Sequence, residues 1–276
     1  MSSGGAAIAG RGLRGGRGKV SEPALPRLRA YNLIVGLVHL AQAGVVFALS
    51  NGFALPITAS FLGGPPGSAL TAPETLWRVP IGYAVGLFLL LAAADHLLMA
   101  APGIWPWYRD NLARQINYAR WWEYALSASV MIVLIALITG VSDVGAVIAI
   151  FGVNAAMIFF GMLMEILNRP GAGARVNWTP FLFGCVAGIV PWLVIAYQFF
   201  GAESRAPAGA GVPGFVYGIV ISLFVLFNSF AVNQALQYGR VGPWRSYLFG
   251  EKAYIVLSLT AKTLLAWQIF ANTLVR

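Results

Sequence analysis

Seven long apolar runs, each long enough to cross a lipid bilayer, constrain this chain more than any other feature. They lie near 31–53, 80–100, 118–140, 144–166, 179–200, 214–237 and 253–275. A bilayer-spanning helix needs about 20 such residues. The gaps between the runs carry helix breakers: Gly63-Gly64-Pro65-Pro66-Gly67, Pro102 to Pro106, Pro170-Gly171, Pro207 to Pro213 and Gly242-Pro243. Of the 276 residues, 59% are hydrophobic and 10% charged, against about 25% charged in a soluble domain. That composition excludes a water-soluble globule and a disordered chain. The runs are continuously apolar and do not alternate, which argues against a transmembrane β-barrel. The fold class expected is therefore an all-α membrane protein, a bundle of seven transmembrane helices. Pro191 lies inside the fifth run and predicts a kink there. The gap at 51–79 is too long for a tight turn and long enough to fold on its own. The single cysteine, Cys185, rules out an intrachain disulfide and reads as a small buried hydrophobe.

Residues 1–30 read as a flexible basic tail, and 31–276 as the helical domain. The tail is rich in glycine and arginine and lacks the apolar core of a cleavable signal peptide. Weak attraction to anionic lipid headgroups is its functional alternative. Orientation follows from the distribution of Lys and Arg outside the helices. On the side of the N-terminus lie Arg11, Arg14, Arg17, Lys19, Arg27, Arg29, Arg109, Arg114, Arg120, Arg169, Arg175, Arg240, Arg245 and Lys252. On the other side lie only Arg78, Arg205 and Arg276. This asymmetry predicts a cytoplasmic N-terminus and an extracellular C-terminus. The net charge of +9 is thus mainly a topology signal. No nucleic-acid partner is expected, because the basic residues border membrane spans and no nucleic-acid motif accompanies them.

An ionisable side chain inside the bilayer is costly, so each one is a functional candidate. The candidates are His39, Asp95, His96, Glu123, Glu165 and Lys262. Lys262 stands near the middle of AYIVLSLTAKTLLAWQIF, roughly 15 Å of helix rise from either end, too far for easy snorkelling. Such an amine is either half of a structural ion pair or a group tuned for Schiff-base chemistry. Ser258 lies one turn from Lys262 on the same helix face. Glu123, His96 and His39 fall at depths that allow one shared polar pocket with them. Asp95 reads as interfacial or structural. Glu165 is placed to pair with Arg169, four residues on.

These residues resemble a known family. A seven-helix chain with a lysine midway along helix seven and a carboxylate in helix three is similar to the retinal-binding rhodopsins. The inverted orientation, RWWEYALSAS at 120–129, GMLMEILN at 161–168, one histidine in each of the first two helices and SLTAK at 258–262 resemble the heliorhodopsins. The resemblance spans about residues 31–276. It implies all-trans retinal bound to Lys262 as a protonated Schiff base, with Glu123 as counterion. It implies that His39 and His96 belong to the adjoining polar network, with Ser258, Tyr124 and Asn117 as further members. It nominates Asn154, Met157, Phe227 and Gln234 for the chromophore pocket, and Trp192 is added by its position. It also implies a slow photocycle suited to signalling, a homodimer with the 51–79 loop at its interface, and an unidentified cytoplasmic signalling partner.

Proton pumping is not expected. Ordinary pumps place a carboxylate donor eleven residues after the counterion, where this chain has Leu134. Where ordinary microbial rhodopsins have an aspartate four residues before the lysine, it has Ser258. A light-gated proton or ion conductor and a retinal-free scaffold with a structural Lys262–Glu123 pair are the competing readings. An enzyme is not expected, because His39 and His96 are only two potential ligands and no nucleophile motif accompanies them. Trp77, Trp105, Trp107 and Trp244 fall at span ends and read as an interfacial belt.

Overall fold

The structure, a computed structural model, describes residues 25–169, 175–207 and 211–274. The expected tail at residues 1–24 and the Pro170-Gly171 breaker lie outside the described residues. Eight α-helices and one hairpin are present in the order α1 (Leu25–Leu49), β1 (Ala54–Ala59), β2 (Glu74–Pro80), α2 (Ile81–Ala100), α3 (Trp105–Ala113), α4 (Tyr118–Ile138), α5 (Val144–Leu167), α6 (Thr179–Arg205), α7 (Gly214–Gly239) and α8 (Tyr247–Ile269). All but α3 are long and apolar enough to span a membrane. The seven expected spans are therefore present. The side on which α1 begins is called the N-terminal face below.

Two helices start about a turn and a half before the apolar runs do. α1 begins at Leu25, so residues 25–30, expected in the tail, are helical. Pro26 sits in its first turn, where the missing N–H costs no hydrogen bond. α8 begins at Tyr247, which brings Glu251 and Lys252 into the helix. α6 continues through the buried Pro191. The extra helix α3 has Pro106 near its start and buries Tyr108, Asn111 and Leu112 on the N-terminal face.

The 51–79 segment does not stand alone. β1 and β2 pair antiparallel, with a register shift between Ile57 and Thr58. The Thr58 amide donates to the Ser142 carbonyl at 2.8 Å, and the two hydroxyls lie 3.0 Å apart. Ile57 and Ala59 are buried, so the hairpin caps the face opposite the N-terminal one.

The main core fills that opposite half, with Phe88, Leu89, Ile132, Ile135, Leu265 and Ile269 fully buried. In a membrane, helices associate through close packing and interhelical hydrogen bonds rather than through exclusion of water. Small residues permit this. A Cβ added at Gly36 of α1 would lie 2.8 Å from the Leu97 side chain of α2. The charged and polar groups concentrate in the half nearer the N-terminal face, and that asymmetry positions the site.

Candidate functional site

Lys262 projects from the middle of α8. Side chains on a helix lean toward its N-terminus, so this one reaches toward the N-terminal face. There Nζ donates to both oxygens of Glu123, at 2.9 and 3.1 Å, and to Ser258 Oγ at 2.9 Å. Glu123 lies in the second turn of α4. Lys262 is 3% exposed, so the pair is buried and its two charges balance. Nζ also lies 5.1 Å from the centre of the Tyr124 ring, whose hydroxyl donates to the Tyr254 carbonyl at 3.0 Å.

The two histidines share one environment. Their rings lie parallel within 7°, with centres 5.9 Å apart. His96 Nδ1 is 2.7 Å from Asn32 Oδ1, whereas neither ring nitrogen of His39 has a partner among the described residues. Both rings lie within the electrostatic reach of Lys262. Asp95 is half-buried and interacts with the charges of Glu123, Lys262 and Arg120.

A cavity of about 420 Å³ opens beside Lys262. Its walls are mostly apolar and come from α4, α5, α6, α7 and α8. Of the residues nominated from sequence, Tyr124, Met157, Trp192, Phe227, Gln234, Ser258 and Lys262 line it. Gln234 is held by its amide, which donates to the Gly161 carbonyl at 3.0 Å. Trp192 meets Phe227 edge to face at 5.7 Å. Ser127, one turn beyond Glu123, lines the cavity with a buried hydroxyl that has no partner among the described residues. An apolar molecule with one reactive aldehyde end fits this combination. The volume lies within the range of small-molecule pockets, about 300–1,000 Å³, and the single amine stands at the polar end.

Asn154 and Asn117 do not belong to this wall. The Asn154 amide donates to Ser129 Oγ at 3.0 Å, both groups being buried, and ties α5 to α4. Asn117 caps α4, its side chain accepting from the Arg120 amide, and joins a second polar cluster instead of the Lys262 network. Its amide donates to Glu251 Oε2 at 2.8 Å.

That second cluster centres on Arg120. Its guanidinium pairs with Glu251 of α8 and, at 2.5 Å, with Glu165 of α5. Glu165 also accepts from the Trp121 indole at 2.7 Å, from the Asn117 backbone N–H at 2.9 Å and from the Tyr247 hydroxyl at 3.4 Å. The expected Glu165–Arg169 pair is absent. Arg169 is exposed and contacts the Tyr118 hydroxyl at 3.4 Å. Glu165 turns inward because a carboxylate facing lipid has no partner, whereas the interior offers four donors. Tyr108, in α3, abuts the cluster. Burial raises its phenol pKa above the ordinary value, and the charge of Glu251 adds to the shift. Arg120 is likewise not a headgroup-side residue as its place in the sequence suggests; it is 5% exposed.

Glu251 escaped the sequence reading because the seventh run was started at 253. The signal that finds it is an acidic residue one turn before Tyr254 and two before Ser258, on the face that carries Lys262. Cys185, expected to be buried, is exposed on α6 at the cavity margin. In a membrane helix an apolar stretch does not separate the lipid side from the interior.

The heliorhodopsin family's sequence profile matches residues 28–274. No curated protein sequence matches the chain. Among solved structures, it resembles a light-driven proton pump from Leptosphaeria maculans, with TM-score 0.62 and 15% identity over 88% of this chain and 93% of that one. It resembles a proton-pumping rhodopsin from the marine alga Acetabularia acetabulum, with TM-score 0.62 and 18% identity over 92% and 97%. A cyanorhodopsin from the cyanobacterium Tolypothrix follows, with TM-score 0.61 and 13% identity over 92% and 96%. At these identities the structural likeness establishes the fold.

Proposed function

The chain belongs to the heliorhodopsin family, multi-pass retinal photoreceptors of the membrane, and from that premise we propose that it senses light through Lys262 without pumping ions. Lys262 is the attachment point of all-trans retinal through a Schiff base, and Glu123 is the counterion. The bond pattern between those two residues carries the reading: one buried amine facing one buried carboxylate at the polar end of an apolar cavity. Retinal supplies light absorption and isomerisation. The protein supplies the rest. Glu123 stabilises positive charge at the Lys262 nitrogen, which burial alone would disfavour. Ser258 Oγ accepts a hydrogen bond from the free amine and fixes its direction. Tyr124, Trp192 and Phe227 shape the cavity.

The non-pumping part rests on the half of α4 away from Glu123. Leu134 is buried in the core beside Ile132 and Ile135, and no acid or base of α4 follows Glu123. A proton leaving the Lys262 nitrogen toward the histidine side then meets no donor on α4 to replace it from the opposite side. The N-terminal face is cytoplasmic, in keeping with its arginines, so a slow photocycle signals to a cytoplasmic partner there. The protein acts as a homodimer with the 51–79 loop at the interface.

Illumination of unbuffered cells that express the pigment tests this. The expected result is no sustained change of external pH and no photocurrent under voltage clamp. A sustained, protonophore-sensitive pH change would overturn the non-pumping reading, and a passive photocurrent would favour a light-gated conductor.

A further inference from the structure

Two of the cavity's aromatic walls are also the bearings of the buried ion cluster. The Arg120 guanidinium stacks 4.0 Å from the centre of the Tyr254 ring and 4.4 Å from that of Trp121. Both rings line the cavity beside Lys262. The edges of the same guanidinium hold Glu165 of α5 and Glu251 of α8. Trp121 itself donates to Glu165. Its ring fits against Gly161 so closely that a Cβ there would fall 2.5 Å away. Trp121 therefore cannot shift without loosening a charge-assisted bond to α5, and a shift of Tyr254 removes the ring on which the guanidinium rests.

The cluster is also unbalanced. One guanidinium faces two carboxylates, all three side chains at most 5% exposed. Arg120 holding both carboxylates, and Arg120 holding Glu165 alone with Glu251 released, are two discrete arrangements. Packed interiors pass between such discrete arrangements rather than deform smoothly. Glu251 stands in the first turns of α8, directly after the Gly242–Arg245 turn on the N-terminal face.

We propose that Arg120 is the positioning residue that converts a shape change in the cavity into movement of the N-terminal end of α8, by loosening its hold on Glu251 when Tyr254 or Trp121 shifts. The inference rests on the reading of the cavity as the chromophore site. Planarity is central to it: a lysine keeps the charge at position 120 but neither stacks flat nor bridges two carboxylates in one plane.

The test uses the full chain with retinal, spin-labelled at Leu167→Cys and Arg245→Cys in a Cys185→Ser background. Leu167 and Arg245 are exposed and report α5 against the start of α8. Pulsed electron-electron distances are taken in darkness and after freezing under light. The expected result is a light-driven change of distance in the parent that is lost in both Glu251→Gln and Arg120→Lys, while their visible bands remain. Glu251→Gln removes the surplus negative charge and leaves Arg120 paired with Glu165, so this variant keeps a balanced interior even where Arg120→Lys fails to fold. The same distance change in Glu251→Gln as in the parent, or in a folded Arg120→Lys, would overturn the proposal, as would a parent with a visible band and no change. An unsubstituted chain without a visible band would instead overturn the chromophore reading on which the proposal depends.

Discussion

Lys262 meets Glu123 through both carboxylate oxygens, at 2.9 and 3.1 Å, and among the described residues it has no other ion-pair partner. Two charges taken out of water together hold each other only while both are present. Substituting Glu123→Gln leaves an uncompensated charge on α8. In the retinal-free protein this is expected to destabilise the fold by about 3–5 kcal/mol, read as a lower unfolding temperature in detergent. In the pigment, loss of the counterion is expected to move the visible band to the red.

Ser258 sets how many acids the Lys262 nitrogen faces. Its hydroxyl lies 2.9 Å from Nζ. Ser258→Ala removes a hydrogen bond to a charged group, a loss of about 1.5–3 kcal/mol. Ser258→Asp places a second carboxylate beside the nitrogen. The absorption spectrum of the aspartate variant is expected to shift to the blue, opposite in sign to Glu123→Gln.

Gly161 allows Trp121 to lie against α5. A Cβ there would fall 2.5 Å from the indole, so Gly161→Ala forces the ring into the cavity. Overpacking of this kind costs about 1–3 kcal/mol. Reduced retinal uptake by the apoprotein, followed as the growth of the visible band, is the expected result.

Asn154 works at a distance from the cavity. Its bond to Ser129 is buried, and Asn154→Leu strands the serine hydroxyl at a cost of about 1–3 kcal/mol. Thermal unfolding is expected to show that loss. The visible band is expected to hold its position, because Asn154 does not line the cavity.

The seven spans were legible in the sequence because a bilayer demands long, uninterrupted apolar runs. Lys262 and Glu123 were legible because charges interrupt such runs. What escaped was pairing between helices. The i,i+4 rule suggests Glu165 with Arg169, since it sees only one helix, whereas the carboxylate reaches Arg120 across the bundle. The same blindness hid Glu251. A hydropathy reading treats Glu251-Lys252 as loop and starts the helix after them, yet Glu251 is 1% exposed because Arg120 receives it. Arg120 was counted with the flanking arginines for the mirror-image reason. Asn117 was assigned to the lysine's network on resemblance, and its capping geometry instead turns it toward Glu251. The hairpin's docking on Ser142 depends on a segment far along the chain and has no local signal.

Whether Lys262 carries the chromophore is decided by the absorption spectrum of the purified chain expressed with all-trans retinal, beside the Lys262→Ala variant. A visible band in the parent that is missing from a folded Lys262→Ala is the result predicted here. No visible band in a well-folded parent, or the same band in both, would contradict it and leave Lys262 and Glu123 as a structural ion pair.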